Sequence, residues 1–260
     1  MITALGRTVI TFLNYLGEVA RLAEEIVHSV FVSKIRWRLL LQQIYEIGTR
    51  SQLVVMVTGA FTGAVFAAQL FFQLRNFSME TTVGSVTAVA IFRELGPALS
   101  ALMVAGRVGA AIAAEIGTMK VTEQVDALRA LGVHPVDYLV VPRALAMMIS
   151  MPLLVLEACM LALVACYLVS VQTLGVAEAP FLRNLEHWVG LEDIYKAIIK
   201  AFVFGVIIVL VACHQGLKTS NGAAGVGRAP TEAVVISSLS ILVSNFVLTF
   251  ALEVLFPVDK

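Results

Sequence analysis

Residues 93–143 read RELGPALSALMVAGRVGAAIAAEIGTMKVTEQVDALRALGVHPVDYLVVPR, and this stretch decides the fold. It opens with an Arg-Glu pair set inside an apolar run. A face of small residues follows, Ala101, Ala105, Gly109, Ala113 and Gly117, each four apart. The segment then turns amphipathic and charged and closes on Gly132, Pro135 and Pro142. Small residues at this spacing let helices approach closely in lipid, where packing and hydrogen bonds replace the hydrophobic effect. Gly59, Gly63 and Ala67 repeat the pattern upstream. The spacing leaves open whether the contact lies within one chain or between two.

Composition agrees. Of 260 residues, 59% are hydrophobic and 14% charged, and mean hydropathy is +0.92. Soluble domains carry about a quarter charged residues, so this chain belongs in a bilayer. The formal net charge is zero, which gives no reason to expect a nucleic-acid partner. Cys159 and Cys166 stand seven apart on one apolar helix, about 10 Å along its axis, too far to bridge; with Cys213 they read as small core residues. Residues 1–30 contain Glu18, Glu24 and Glu25 and lack the short apolar core and cleavage site of a secretory signal.

A span needs about 20 mostly apolar residues. Leu53–Leu74, a stretch within Val83–Gly117, Ala144–Leu174, Ile198–Cys213 with its flanks, and Val234–Phe256 meet that length. The second run is too long for the hydrocarbon, so it must extend beyond it or break, with Gly96-Pro97 the natural point. Lys and Arg concentrate in residues 1–50 (Arg7, Arg21, Lys34, Arg36, Arg38, Arg50). They recur after the second span (Arg107, Lys120, Arg129, Arg143) and the fourth (Lys218, Arg228). The opposite side offers Arg75, Arg183, Lys196 and Lys260. This bias predicts a cytoplasmic N-terminus and a periplasmic C-terminus.

The chain is therefore expected to be an all-α integral membrane protein forming one transmembrane domain over residues 1–260. An interfacial amphipathic region covers 1–50 and a five-helix membrane domain covers 51–256. Leu5, Val9, Phe12, Leu16, Val19, Ala23, Ile26 and Val30 form the apolar face of the N-terminal helix. A helix packed on a partner protein would show the same face.

Arg93 and Glu94 are costly residues in lipid and need partners or a polar cavity. Neighbours on a helix point about 100° apart, so each requires its own partner. Lys200, early in the fourth span, suits Glu94. A charged collar on a lipid or ion pathway and a structural ion-pair network both fit. Thr122–Leu131 reads as a short helix with Thr122 as N-cap and Gly132 as its stop. Val121, Val125, Leu128 and Leu131 form its apolar side, and Glu123, Gln124, Asp126 and Arg129 its polar side. It is either a solvated loop helix or a coupling helix that docks on a motor subunit. The segment Gly216–Pro230, GLKTSNGAAGVGRAP, lacks the GxxxxGK[ST] pattern and follows a membrane helix, so it reads as a flexible connection. His28, His134, His187 and His214 show no metal-ligand spacing, and no nucleophile-base set suggests catalysis. Energy for any driven process is bound elsewhere.

RELGPALSALMVAGRVGAAIAAEIG with TEQVDALRALGVHPVDYLVVPR, IIKAFVFG and NGAAGVGRAPTEAVV resembles the MlaE/YrbE family of ABC-transporter permeases, over about Ile44 to Phe256. The resemblance implies a homodimeric, non-catalytic permease in the bacterial inner membrane. It would move phospholipid or a related lipid and support outer-membrane lipid asymmetry. A separate cytosolic ATPase would bind ATP and Mg, a periplasmic MCE-domain ring would receive or deliver lipid, and a STAS-domain protein often joins. It implies lipid binding at Arg93, Phe66, Leu74, Phe77 and Leu95, with Phe71 and Phe72 adding aromatic surface. A membrane charge network would comprise Arg93, Glu94, Lys200 and Asn245, and ATPase coupling Glu123, Gln124, Asp126, Leu128 and Arg129. Asn245 stands where some relatives carry a carboxylate, and its amide is expected to accept a bond from Lys200. Two alternatives use the same residues differently: an ion- or proton-coupled secondary transporter relaying through Arg93, Glu94 and Lys200, and a structural membrane anchor.

Overall fold

In a computed structural model the described residues are 2–32, 36–220 and 222–255, with no side-chain description at 2–5, 8 and 12. Lys34, Phe256 and Lys260 of the expectations above lie outside the described residues, as do the side chains of Leu5 and Phe12. Among the described residues there are helices and turns and no strand. Helix α1 is Ile2–Val32. Five helical runs are long and apolar enough to cross a membrane: α2 (Trp37–Phe77), α3 (Glu80–Val121), α5 (Val136–Thr173), α7 (Leu191–Leu217) and α8 (Gly222–Leu255). Two short helices complete the set, α4 (Gln124–Ala130) after α3 and α6 (Glu178–Trp188) after α5. The fold is thus an all-α multi-pass membrane protein with the five expected spans.

The small-residue faces pack inside the chain. A methyl group built on Gly59 would lie 2.5 Å from the Ala158 carbonyl, and one on Gly63 2.1 Å from the Ala162 carbonyl. Both positions therefore bring α2 and α5 together backbone to backbone. Ala101, Ala105 and Ala113 are fully buried, and Gly109 and Gly117 face Ile208 and Thr219 of the α7 end of the bundle. Phe204 and Ile208 of α7 complete that core, as do Met147 and Met151 of α5. Cys159, Cys166 and Cys213 are buried and unbridged, as the spacing indicated.

Three expectations are narrowed or corrected. First, of the two possibilities for the second run, α3 extends and does not break at Gly96-Pro97. It runs 42 residues, about 63 Å at 1.5 Å each, and absorbs the proline through a wide π-type turn at Ile91–Leu95. Second, Gly216–Pro230 is not a flexible connection. Helix α7 ends at Leu217, and α8 begins at Gly222 with φ +62°, so the chain reverses within a few residues. Glycine here allows close contact: a methyl on Gly225 would overlap the Ser220 carbonyl at 1.7 Å. Third, Thr122 does not cap α4. Its hydroxyl donates to the Thr118 carbonyl and closes α3, while Glu123, in left-handed backbone at φ +61°, occupies the N-cap position. Gly132, at φ +74°, ends the segment as expected.

Helix α1 does not join the bundle core along its length. Leu22, Ile26 and Ser29 are buried, whereas Val9, Ile10, Leu13 and Leu16 are exposed. Its middle is fastened to the end of α7: Glu18 Oε2 lies 3.0 Å from His214 Nε2 and 2.7 Å from Lys218 Nζ, and Tyr15 packs edge-on against His214.

Candidate functional site

The site grows from one backbone defect. Pro97 has no N–H, so the Arg93 carbonyl, four residues earlier, loses its helical donor. A buried carbonyl must still be satisfied. The Lys200 ammonium, 2% exposed and projecting from α7, donates to it at 2.6 Å. Lys200 also donates to Glu94 Oε1 at 2.8 Å and to the Thr249 hydroxyl at 2.9 Å, which uses all three of its protons. The other Glu94 oxygen accepts the Asn245 amide at 2.7 Å, and Thr249 Oγ1 sits 2.8 Å from Glu94 Oε1. Glu94, Lys200, Asn245 and Thr249 thus form a closed knot joining α3, α7 and α8.

The expected Glu94–Lys200 pair is therefore present, and Arg93 does have a different partner. Asn245 joins the knot but by donation to Glu94, not by accepting from Lys200; its carbonyl oxygen is buried without a hydrogen bond to a described residue. Lys200 has no proton left for it.

A second tier lies towards the end of the bundle away from α4. Arg93 Nε donates to Asp193 Oδ1 at 2.6 Å. The other Asp193 oxygen accepts the Gly190 N–H, so the same carboxylate caps α7 and holds Arg93. Lys196 Nζ donates to Glu253 Oε2 at 2.9 Å, and Glu253 Oε1 lies 3.9 Å from Arg93 Nη1. Asp193, Lys196, Thr249 and Glu253 were not singled out from the sequence. The signal was there: Asp193, Lys196 and Lys200 share one helix face at three-and-four spacing, and Asn245, Thr249 and Glu253 recur every four residues along an apolar span.

The residues expected to face lipid divide. Leu74 lines an apolar groove of about 490 Å³ with Met79, Val86, Val89, Ala90 and Trp188. Leu95 instead borders a narrow crevice against Gly59 and Ala162. Phe66 is half-buried, and Phe72 and Phe77 are exposed. Phe71 is not cavity surface: it is core, packed with Val83, Val176 and Phe181. The four phenylalanines therefore do not line one chamber.

At the opposite end, α4 presents Glu123, Gln124, Asp126 and Arg129 outward, with Val125 buried beneath and Leu128 half-buried. Leu131, expected on the apolar side, is 78% exposed because the chain has already turned towards Gly132. Asp126 accepts from Lys120 at 2.9 Å and lies 3.3 Å from Arg129, and the Lys120 bond holds its carboxyl below the ordinary range. Arg143, 5% exposed, pairs with Glu115 at 2.8 Å and bonds the Leu139 carbonyl, which pins the two ends of the segment carrying α4.

Five lipid-length helices, three of them tied by an ionic knot, with a polar helix displayed at one end, define an α-helical multi-pass membrane protein. The family model described as permease MlaE matches residues 40–251. A Rickettsia felis protein named "Probable ABC transporter permease protein" is 42% identical over 246 residues, 95% of each chain. The Haemophilus influenzae protein named "Intermembrane phospholipid transport system permease protein MlaE" is 35% identical over 253 residues, again 95% of each chain. An Arabidopsis thaliana chloroplastic protein, trigalactosyldiacylglycerol 1, is 38% identical over 232 residues, 88% of this chain and 65% of its own length. The chain belongs to the MlaE permease family.

Proposed function

We propose that this chain is the non-catalytic permease subunit of an ABC transporter that moves phospholipid, or a related lipid, between the inner membrane and a periplasmic MCE-domain partner, supporting outer-membrane lipid asymmetry. The observation that carries the reading is the family match over residues 40–251 together with a relative named for intermembrane phospholipid transport across 95% of both chains. The Lys and Arg bias supports a cytoplasmic N-terminus and α4, and a periplasmic C-terminus.

In this reading two copies enclose the lipid path. Acyl chains occupy apolar surface such as the Leu74 groove, and Phe66, Phe77 and Leu95 supply further apolar contacts from α2 and α3. Arg93 meets the phosphate, since a guanidinium offers paired donors to phosphate oxygens. Glu94, Lys200 and Asn245 hold α3, α7 and α8 in register beneath it. A cytosolic ATPase, with which a STAS-domain protein associates, binds ATP and Mg and docks on Glu123, Gln124, Asp126, Leu128 and Arg129. Its motion reaches the bundle through the Arg143–Glu115 tie.

The test is affinity purification of the tagged chain from detergent-solubilised native membranes, with mass spectrometry of proteins and lipids. An ATPase, an MCE-domain protein and phospholipid arriving together support the reading. A chain recovered alone and free of lipid, under conditions that preserve other ABC complexes, sinks it.

A further inference from the structure

The two tiers of the ionic lattice differ in one respect: the charged groups of the deep tier, Glu94 and Lys200, have all their polar atoms engaged, and those of the outer tier do not. Every Lys200 proton is used, and both Glu94 oxygens accept bonds. In the outer tier Asp193 takes Arg93 Nε, and Lys196 takes Glu253 Oε2. That leaves the two Arg93 Nη groups and Glu253 Oε1 without hydrogen bonds to described residues. The Nη1–Oε1 separation of 3.9 Å exceeds hydrogen-bond length. Both side chains are open on that side, Arg93 at 26% and Glu253 at 50% exposure.

A guanidinium edge and a carboxylate oxygen that face each other only as a loose ion pair at 3.9 Å, with no hydrogen bond between them, are a pair of complementary sites. A zwitterionic phospholipid headgroup carries a phosphate and an ammonium joined by two methylenes, and would span them. The phosphate would accept from Arg93 Nη1 and Nη2, and the ammonium would donate to Glu253 Oε1. A headgroup without an ammonium meets Arg93 equally well but leaves Glu253 facing an anion. We infer that Glu253 is a specificity-determining residue that favours ammonium-bearing phospholipid headgroups over purely anionic ones at the Arg93 site. This rests on the lipid-permease reading above. The charged groups of the outer tier are Arg93, Asp193, Lys196 and Glu253, and the neutral sum of two cations and two carboxylates suits a zwitterion.

The test compares lipids retained by the intact complex, purified after exchange into nanodiscs of equal phosphatidylethanolamine and phosphatidylglycerol. The readout is the headgroup ratio by mass spectrometry. Wild type is expected to enrich phosphatidylethanolamine over the bulk ratio. Glu253→Gln is expected to lower that enrichment about two- to fivefold, the size of a partly exposed ion pair, with total phospholipid per complex retained. Lys196→Gln removes the competing cation from Glu253 and is expected to raise the enrichment, so the two variants move in opposite directions. A general loss of packing would move both the same way. An unchanged ratio in Glu253→Gln, or a fall with Lys196→Gln, overturns the inference while leaving a lipid permease standing. If Glu253→Gln fails to fold, Lys196→Gln alone still decides: a rise supports the inference, and no change or a fall overturns it. Wild-type complex free of phospholipid instead overturns the permease reading itself.

Discussion

Replacing Lys200 by Met is the sharpest structural perturbation available. Methionine keeps most of the apolar stem of Lys200 and deletes the ammonium. Three contacts are lost, to the Arg93 carbonyl, Glu94 and Thr249. The Arg93 carbonyl then has neither a helical donor, because of Pro97, nor a side-chain one. Glu94 keeps its Asn245 bond but becomes an uncompensated carboxylate inside the bundle. Removing one partner of a buried pair costs about 3–5 kcal/mol. Glu94 is 38% exposed, which places the cost at the lower end, about 3 kcal/mol. For a chain of this size each kcal/mol moves Tm by about 2–4 °C, so Tm should fall by about 6–12 °C. The assay is thermal unfolding of the purified chain in one fixed nanodisc lipid. Lys200→Met combined with Glu94→Gln removes the stranded charge and should recover part of the loss, because the two sites are coupled. A single variant as stable as wild type, or a double variant whose losses simply add, would refute the knot as a coupled unit.

Three further outcomes follow from the same geometry. Gly63→Val puts side-chain atoms where a methyl would already lie 2.1 Å from the Ala162 carbonyl, so α2 and α5 must part; well-folded protein by size-exclusion chromatography should be largely lost, whereas Gly106→Val, with no neighbour within 4 Å, should be tolerated. Asp126→Lys on the exposed face of α4 should leave Tm unchanged yet abolish co-purification of the ATPase; retained ATPase would remove α4 as its dock. The α1 clamp should depend on pH. Bonds from Lys218 and then His214 hold the Glu18 carboxyl below its ordinary value, so its contribution is fully present above about pH 4.3 and fades as pH falls through the lowered folded value. Hydrogen exchange across α1 should quicken over that fall in wild type, and Glu18→Gln should start fast and show little pH dependence.

The five spans, the small-residue faces and the Glu94–Lys200 pair were legible because each leaves a one-dimensional trace: length, four-residue spacing, or a charge that lipid makes costly. The helix contacts were not. Spacing alone cannot distinguish a partner helix within the chain from one outside it, and only the backbone packing that would put an added methyl on Gly59 or Gly63 within 2.1–2.5 Å of an α5 carbonyl places them against α5. Gly216–Pro230 was misread because glycine signals freedom in water, while here it admits a backbone neighbour at Gly225. Phe71 was misread for a related reason. Its type fits lipid and core equally, and the choice depends on Phe181 arriving from α6, 110 residues later. Pro97 explains why Lys200 must also reach a carbonyl, yet that demand becomes visible only once α3 is seen to continue through the proline. Thr249 and Glu253 carried the same four-residue trace as Asn245, but a single threonine in an apolar span rarely draws notice.

The most direct test of the central claim is reconstitution of the purified complex in proteoliposomes loaded with fluorescent phospholipid, with transfer to acceptor MCE-domain protein followed with and without ATP. The account predicts transfer that requires hydrolysable ATP, persists when ion and proton gradients are collapsed, and is lost in Asp126→Lys. Transfer or flux that proceeds without ATP and follows an imposed ion or proton gradient would contradict it, and would recast Arg93, Glu94 and Lys200 as an ion relay.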